Sequence, residues 1–391
     1  MADAKPPRAP SADAADGRPG AEGYRVLARK YRPRDFSALI GQEALVRTLT
    51  NAIAQGRLAH GFMLTGVRGV GKTTTARILA RCFNCIGPDG KGGPTASPCG
   101  QCEHCRAIAE DRHVDVIEMD AASRTGIDDI RELIDGVRYR PVSARYKVYI
   151  VDEVHMLSEK AFNALLKTLE EPPEHVKFIF ATTEIRKVPV TVLSRCQRFD
   201  LRRIAAEELA AYFLKIAEQE SARVTPGAAA MIARAADGSA RDGLSLLDQA
   251  IALSHGEIDE AQVRDMLGLA DRTQLIDLYD DVLKGRAPEA LERLNGMHQA
   301  GADAAIVLQD MLELTHWLTR AKITPDPLKD PATPEAERAW GARIVPELSL
   351  PVLARLWQML LKGLGEVQAA PQPLAAAEMV LIRLMHAANL P

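Results

Sequence analysis

Aromatic side chains are scarce in this chain: Phe, Trp and Tyr together make up 5% of its 391 residues. Aliphatic residues must therefore supply most of any core, in a chain that is 47% hydrophobic and 26% charged, the balance of a soluble globular protein. No run of about 18 apolar residues occurs, which argues against a membrane-spanning helix. Met1 is followed by Ala2-Asp3-Ala4-Lys5 and not by a basic head with an apolar stretch. No membrane partner is expected, and the expected location is the cytoplasm. Excess positive charge is missing as well. At a net charge of −3, any contact with nucleic acid has to come from a local patch and not from a global basic coat. Cysteines number only six, and five of them crowd between Cys82 and Cys105, which suits a metal better than a disulfide framework in a cytosolic chain.

The length exceeds what one hydrophobic core usually organises, so two or three domains are expected. Residues 1–22 carry almost no large apolar side chain and read as a disordered tail. From Tyr24, short β-rich runs alternate with helical ones: Phe62 to Leu64, Val114 to Ile117, Val148 to Val151, Phe178 to Phe180 and Phe199 to Leu201. That alternation predicts an α/β fold, a parallel sheet flanked by helices, over 23–202. Beyond Arg203 strand signals vanish and helical spacing takes over, as in Leu244, Leu247, Ala250 and Ile251. The remainder is expected to be all-helical. It divides near Gly268 to Arg272 into a small domain (203–269) and a larger one (270–391). Neither an internal repeat nor a sustained coiled-coil heptad is found.

Gly66-Val67-Arg68-Gly69-Val70-Gly71-Lys72-Thr73 fits G-x-x-x-x-G-K-[ST] and follows the apolar run ending at Leu64. Glycines at this spacing let backbone N–H groups wrap phosphates. Lys72 adds a point charge, and the Thr73 hydroxyl reaches Mg²⁺ at a helix N-terminus, with Thr74 next to it. The segment predicts an ATP site. Downstream, the run Val148 to Val151 ends in Asp152-Glu153, where a P-loop fold places a carboxylate for Mg²⁺ and then a candidate base. An Asp-Glu pair alone is weak, because it equally opens a solvated loop; the upstream P-loop gives it meaning. His155 reads as a packed structural histidine with no part in the chemistry.

Cys99-x-x-Cys102-x-x-Cys105 lies in a Gly/Pro-rich excursion (82–106), with Cys85 ahead of it. Four thiolates suit a closed, structural Zn²⁺ site. Cys82 competes with Cys85 for the fourth place, but it lies deeper in the P-loop helix, so Cys85 is preferred. Cys196 reads as a small buried hydrophobe.

Lys30-Tyr31-Arg32-Pro33, Ile40-Gly41-Gln42-Glu43, the P-loop, the cysteine excursion, Asp152-Glu153-Val154-His155, Ala181-Thr182-Thr183 and Ser194-Arg195-Cys196 succeed one another in the order found in bacterial clamp-loader ATPases. The chain resembles their gamma/tau family of DNA polymerase III from Tyr24 onward, strongly to about Gln249. The resemblance implies an AAA+ nucleotide-binding domain, a helical lid and a helical collar that assembles a five-membered hetero-oligomeric ring. It implies that Ile40, Gly41 and Gln42 line an adenine pocket, that Thr183 is a sensor, and that Arg241 reaches the phosphates from the lid. Arg195 would act on ATP held by the neighbouring subunit. The implied partners are the other loader subunits, a sliding clamp and primed DNA held by its backbone; the implied work is opening the clamp and loading it during replication. Arg124, Thr125 and Lys160 become candidate backbone contacts. The basic run Arg25, Arg29, Lys30, Arg32 and Arg34 reads equally as a phosphate contact or a solvated face. Gamma/tau proteins usually carry longer C-terminal regions; a chain ending at Pro391 is either trimmed or a short form, so tethering of polymerase and helicase is not assigned to it. The alternative is an AAA+ DNA translocase or helicase loader, against which the cysteine excursion speaks; a non-hydrolysing scaffold is disfavoured by the intact P-loop.

Overall fold

The computed structural model describes residues 25–123, 127–254, 256–267, 272–324, 326–329 and 335–388. The tail 1–22, Arg124, Thr125 and the expected boundary segment 268–271 lie outside them. The chain forms two compact units, 1–203 with 239–248, and 204–238 with 249–391.

The first unit is built on five strands: β1 (Gly61–Thr65), β2 (Val116–Asp120), β3 (Lys147–Asp152), β4 (Val176–Thr182) and β5 (Gln197–Asp200). They lie in the order β2-β3-β4-β1-β5, and every pairing is parallel. Parallel strands need crossovers, which cover both faces with helices, so central strands read as unbroken apolar runs. That is the case for β1 and β4, buried at every position. The period-two alternation decides which side chain meets which helix. Phe62, Leu64, Val148, Ile150, Ile179 and Ala181 pack on the face that holds helices Glu43–Ala54 and Lys72–Asn84, through Leu45, Leu49, Ile78, Leu79 and Phe83. Met63, Tyr149, Val151, Phe178 and Phe180 pack on the other, against Ile130 and Leu133 of helix Ile127–Val137 and Phe162 and Leu165 of helix Glu159–Glu170.

Two strand expectations shift. The run Val114 to Ile117 is half loop: β2 starts at Val116, Val114 is 64% exposed, and the Asp115 carboxylate is spent on binding another loop. At the far edge β5 begins before Phe199, at Gln197, and ends at Asp200, one residue short of Leu201.

The second unit is helical, with one departure from the all-helical expectation: Arg223–Val224 and Glu257–Ile258 pair as two short parallel strands. Its C-terminal helices Arg272–Leu283, Ala287–Gln299, Ala304–Ile323, Glu335–Ile344, Leu350–Ala369 and Pro373–Ala388 bury Leu275, Tyr279, Leu294, Leu308, Leu353 and Leu381 in one core. Asp303 and Ser349 cap two of them by accepting first-turn N–H groups. No helix among the described residues is long and apolar enough to cross a membrane.

Candidate active site

Residues from the ends of β1, β3 and β4 converge at one edge of the sheet, the carboxyl ends of its strands. In an open parallel sheet, ligand-binding residues gather outside this edge, where the strand order reverses around β1. The P-loop leaves β1 at Thr65. Gly71, at φ 107°, opens the helix beginning at Lys72, a backbone state costly for any side chain. At Gly69 (φ 73°) an added Cβ would stand 1.9 Å from Ser239 Oγ. Its carbonyl also accepts the Arg241 N–H at 3.3 Å, and Ser239 caps the helix by accepting the Asp242 N–H at 3.1 Å. The bare glycine thus lets the start of helix Ala240–Leu253 sit directly on the loop, which brings Arg241 there.

Lys72 is 5% exposed, and its Nζ donates to the carbonyls of Gly66 and Val67, each at 3.0 Å. Burial pulls its pKa down, and Glu153 and Asp152 oppose that pull. The Thr73 hydroxyl donates to Asp152 Oδ2, so the two oxygens expected to hold Mg²⁺ meet at one point. Asp152 Oδ1 accepts the N–H of Glu153 at 2.9 Å. Glu153 itself has φ 45°, a left-handed state uncommon outside glycine, as functional turns often do. Its Oε1 lies 4.0 Å from Lys72 Nζ, and its Oε2 accepts both the N–H (3.1 Å) and the hydroxyl (3.0 Å) of Thr183. The proposed base and sensor are therefore hydrogen-bonded to each other.

Gln42 is 3% exposed; its amide donates to the Arg202 carbonyl at 2.8 Å and accepts the Arg202 N–H at 3.1 Å. That pairing commits its side chain to the Arg202 main chain. Val70 is buried, whereas Arg68 is exposed. Arg195 bonds to the Thr191 carbonyl (2.7 Å), Ser194 Oγ (3.2 Å) and the Glu170 carboxylate, none of them a P-loop residue. Lys160 is exposed on the first turn of its helix.

Arg32 was given no site role from the sequence. Its Nε donates to Thr74 Oγ1 at 3.2 Å, on the first turn of the P-loop helix. Burial lowers its pKa, and Arg77 and Arg241 add to that. The Lys-Tyr-Arg-Pro motif was the available signal.

The sulfur that joins the Cys99, Cys102 and Cys105 cluster is that of Cys85. All four lie within 4.8 Å of one another, and all are free thiols. Zinc–sulfur bonds of about 2.3 Å in a tetrahedron put sulfurs roughly 3.8 Å apart, so the donor set fits. Backbone N–H groups of Gly87 (3.4 Å) and Cys99 (3.3 Å) point at Cys85 Sγ, and that of Cys102 (3.3 Å) at Cys99 Sγ, an outer shell suited to thiolates. Burial raises the Cys99 thiol, but the backbone N–H groups of Cys102 and Gln101 and the neighbouring Cys85 and Cys102 thiols outweigh it and bring it down to about 7. Cys82 instead contacts the Ala96 carbonyl, and burial pushes its thiol up. Cys196, expected to be buried, is only partly so, packed against the core on the Met63 face of the sheet, and burial raises its thiol to about 12. From the module, His104 Nδ1 meets His113 Nε2 at 2.8 Å, and His113 Nδ1 accepts the Asp115 N–H at 3.0 Å. The second bond requires the His113 proton on Nε2, where it donates to His104.

The chain is similar to known proteins over most of its length. Residues 258–391 match the family described as DNA polymerase III subunits gamma and tau domain III, 208–256 the clamp loader subunit ATPase lid domain, and 41–205 the DNA polymerase III delta subunit. The tau subunit of Escherichia coli is 42% identical over 363 residues, which cover 93% of this chain and 55% of that protein. The gamma subunit of Buchnera aphidicola subsp. Acyrthosiphon pisum is 39% identical over 364 residues, covering 93% of this chain and 99% of that protein. The chain thus spans little more than half of the tau relative. A solved Thermotoga maritima RuvB aligns with a TM-score of 0.45 and 18% identity, over 69% of this chain and 85% of that one.

Proposed function

The chain belongs to the gamma/tau family of DNA polymerase III subunits, and on that premise we propose that it is an ATP-hydrolysing motor subunit of a clamp loader. The observation that carries the proposal is the convergence of Lys72, the Thr73–Asp152 pair and the Glu153–Thr183 pair at one sheet edge. ATP is the substrate. Backbone N–H groups from Gly66 to Thr73 and the Lys72 ammonium take the phosphates, exchanging the carbonyls that Lys72 now holds. Thr73 and Asp152 would hold Mg²⁺, which when bound neutralises phosphate charge. Glu153 accepts the proton of the attacking water, and Thr183 holds its carboxylate and senses the γ-phosphate. Ile40, Gly41 and Gln42 line the base, and Arg241 approaches the phosphates from the helix that rests on Gly69.

Arg195 has no role at its own P-loop in this reading. Its ion pair with Glu170 is exposed on both sides, and exposed pairs contribute about 0–1 kcal/mol, so a neighbour's phosphates can outcompete it. The subunit would act in a five-membered ring with other loader subunits, in the cytoplasm, to open a sliding clamp and set it around primed DNA. Zinc held by Cys85, Cys99, Cys102 and Cys105 would fix an excursion too poor in apolar residues to fold alone.

The test is ATP hydrolysis by the full chain with the other loader subunits, with and without primed DNA plus clamp. Stimulation by the pair, well beyond either alone, is expected. Equal rates in all conditions would refute the clamp-loading reading.

A further inference from the structure

His155, two residues past the base, has no place in the chemistry on sequence grounds, yet its surroundings are those of a working residue. Its side chain is 6% exposed and stands against the carboxylate of Glu153: Nδ1 is 3.4 Å from Glu153 Oε2 and 3.0 Å from Thr182 Oγ1. On the other side of the ring, Nε2 is 3.5 Å from Glu184 Oε1. The oxygen it faces is the same Oε2 that accepts the N–H and hydroxyl of Thr183, whereas Oε1 faces Lys72. One oxygen of the carboxylate thus accepts two hydrogen bonds from Thr183 and lies beside the His155 ring, which itself hydrogen-bonds Thr182, while the other is turned toward Lys72. Thr182 is fixed in its turn, since its Oγ1 accepts the Glu184 N–H at 3.0 Å at the end of β4. Glu184 is held by Lys187 at 2.8 Å.

We propose that His155 is a positioning residue for ATP hydrolysis: with its ring proton on Nδ1, it completes the pocket around Glu153 Oε2 and so presents Oε1 to the attacking water. The inference rests on Glu153 being the base. It assigns His155 no proton transfer to substrate. The energetic logic is that of orientation: a carboxylate free to rotate offers the water either oxygen at any angle, and a misplacement of about 1 Å can cost on the order of 100-fold in rate. Thr183 supplies two of the three groups around Oε2, so loss of His155 should loosen the carboxylate without releasing it. A histidine that merely packed the turn against β4 would instead affect stability and nucleotide affinity along with rate.

The test uses the full chain assembled with its partner subunits and compares His155→Ala, His155→Asn and His155→Gln. An Asn amide nitrogen falls near the place of Nδ1, a Gln amide nitrogen near that of Nε2. His155→Ala is expected to lower kcat on the order of 10-fold or more while KM and the Kd for ATP stay within about threefold. His155→Asn should recover most of that loss, and His155→Gln should not. The proposal is overturned if His155→Ala keeps its kcat within about twofold, if affinity falls in step with rate, or if Asn is no better than Ala. Glu153→Gln, measured in parallel, separates the two levels. A Glu153→Gln enzyme with full turnover sinks the base assignment and the functional reading with it. An inactive one beside an unaffected His155→Ala sinks only the role of His155.

Discussion

Replacing Asp115 with Asn removes a single charge from a position 1% exposed, on which three backbone N–H groups and a hydroxyl converge. Oδ1 accepts the Val142 N–H at 2.7 Å; Oδ2 accepts the N–H groups of Ser143 (2.8 Å) and Ala144 (2.9 Å) and the Ser143 hydroxyl at 3.3 Å. An amide offers one oxygen and turns an NH₂ toward the remaining donors, so at least one backbone N–H loses its acceptor and meets a donor. Each buried group left unsatisfied costs roughly 1–3 kcal/mol, and about 3 kcal/mol is expected in all, because Val142 and Ser143 are exposed and part of the loop can turn to water. For a unit of some 200 residues this corresponds to a fall of about 6–12 °C in Tm. Thermal unfolding at neutral pH measures it, and amide hydrogen exchange at Val142, Ser143 and Ala144 localises it. The same carboxylate makes stability depend on pH. Burial raises the Asp115 pKa, but the N–H bonds of Ala144, Ser143 and Val142 outweigh it, so the folded value lies below the ordinary one. Its stabilisation is therefore complete above about pH 4, the unfolded pKa, and is lost as pH falls through the folded value. The Asp115→Asn variant should lack that component. A loss below about 1 kcal/mol with unchanged protection at these amides would refute the reasoning.

Two further variants probe the loop and the cysteine cluster. Gly69→Ala combines a φ of 73° with a Cβ 1.9 Å from Ser239 Oγ; the backbone term alone is about 1–2 kcal/mol, and ATP affinity measured by titration should fall by more than about tenfold, with partial recovery in the Gly69→Ala/Ser239→Ala double variant. Cys102→Ser with Cys105→Ser removes two of four clustered sulfurs and should abolish stoichiometric zinc in elemental analysis, with loss of protease resistance confined to the excursion; retention of one zinc per chain would contradict the ligand assignment.

What the sequence disclosed, and what it withheld, depend on range. The P-loop and the four-cysteine set are local patterns whose spacing points to a ligand, so they were legible; Asp152-Glu153 was legible only beside the P-loop upstream of it. Apolar runs located β1, β3 and β4 because these strands are buried on both faces. The edge strands were less clear: β2 and β5 have mixed burial, and Val114 belongs to neither. Tertiary pairings were beyond reach. That Thr183 holds Glu153 depends on the register of β3 against β4, and that Arg241 meets Gly69 depends on a helix returning from far along the chain. The burial of Asp115 among loop N–H groups could not be told from an exposed aspartate at a strand start. The surroundings of His155 were hidden for the same reason: its neighbours Thr182 and Glu184 come from the end of another strand and the turn after it.

The proposal on which the account turns is that Arg195 acts on ATP held by an adjacent subunit. It is tested most directly by the turnover of saturating ATP in the assembled loader, with primed DNA and clamp, comparing the native chain with Arg195→Ala. The account predicts a loss of turnover on the order of 10³-fold with ATP affinity unchanged. Full turnover by Arg195→Ala under those conditions would contradict it.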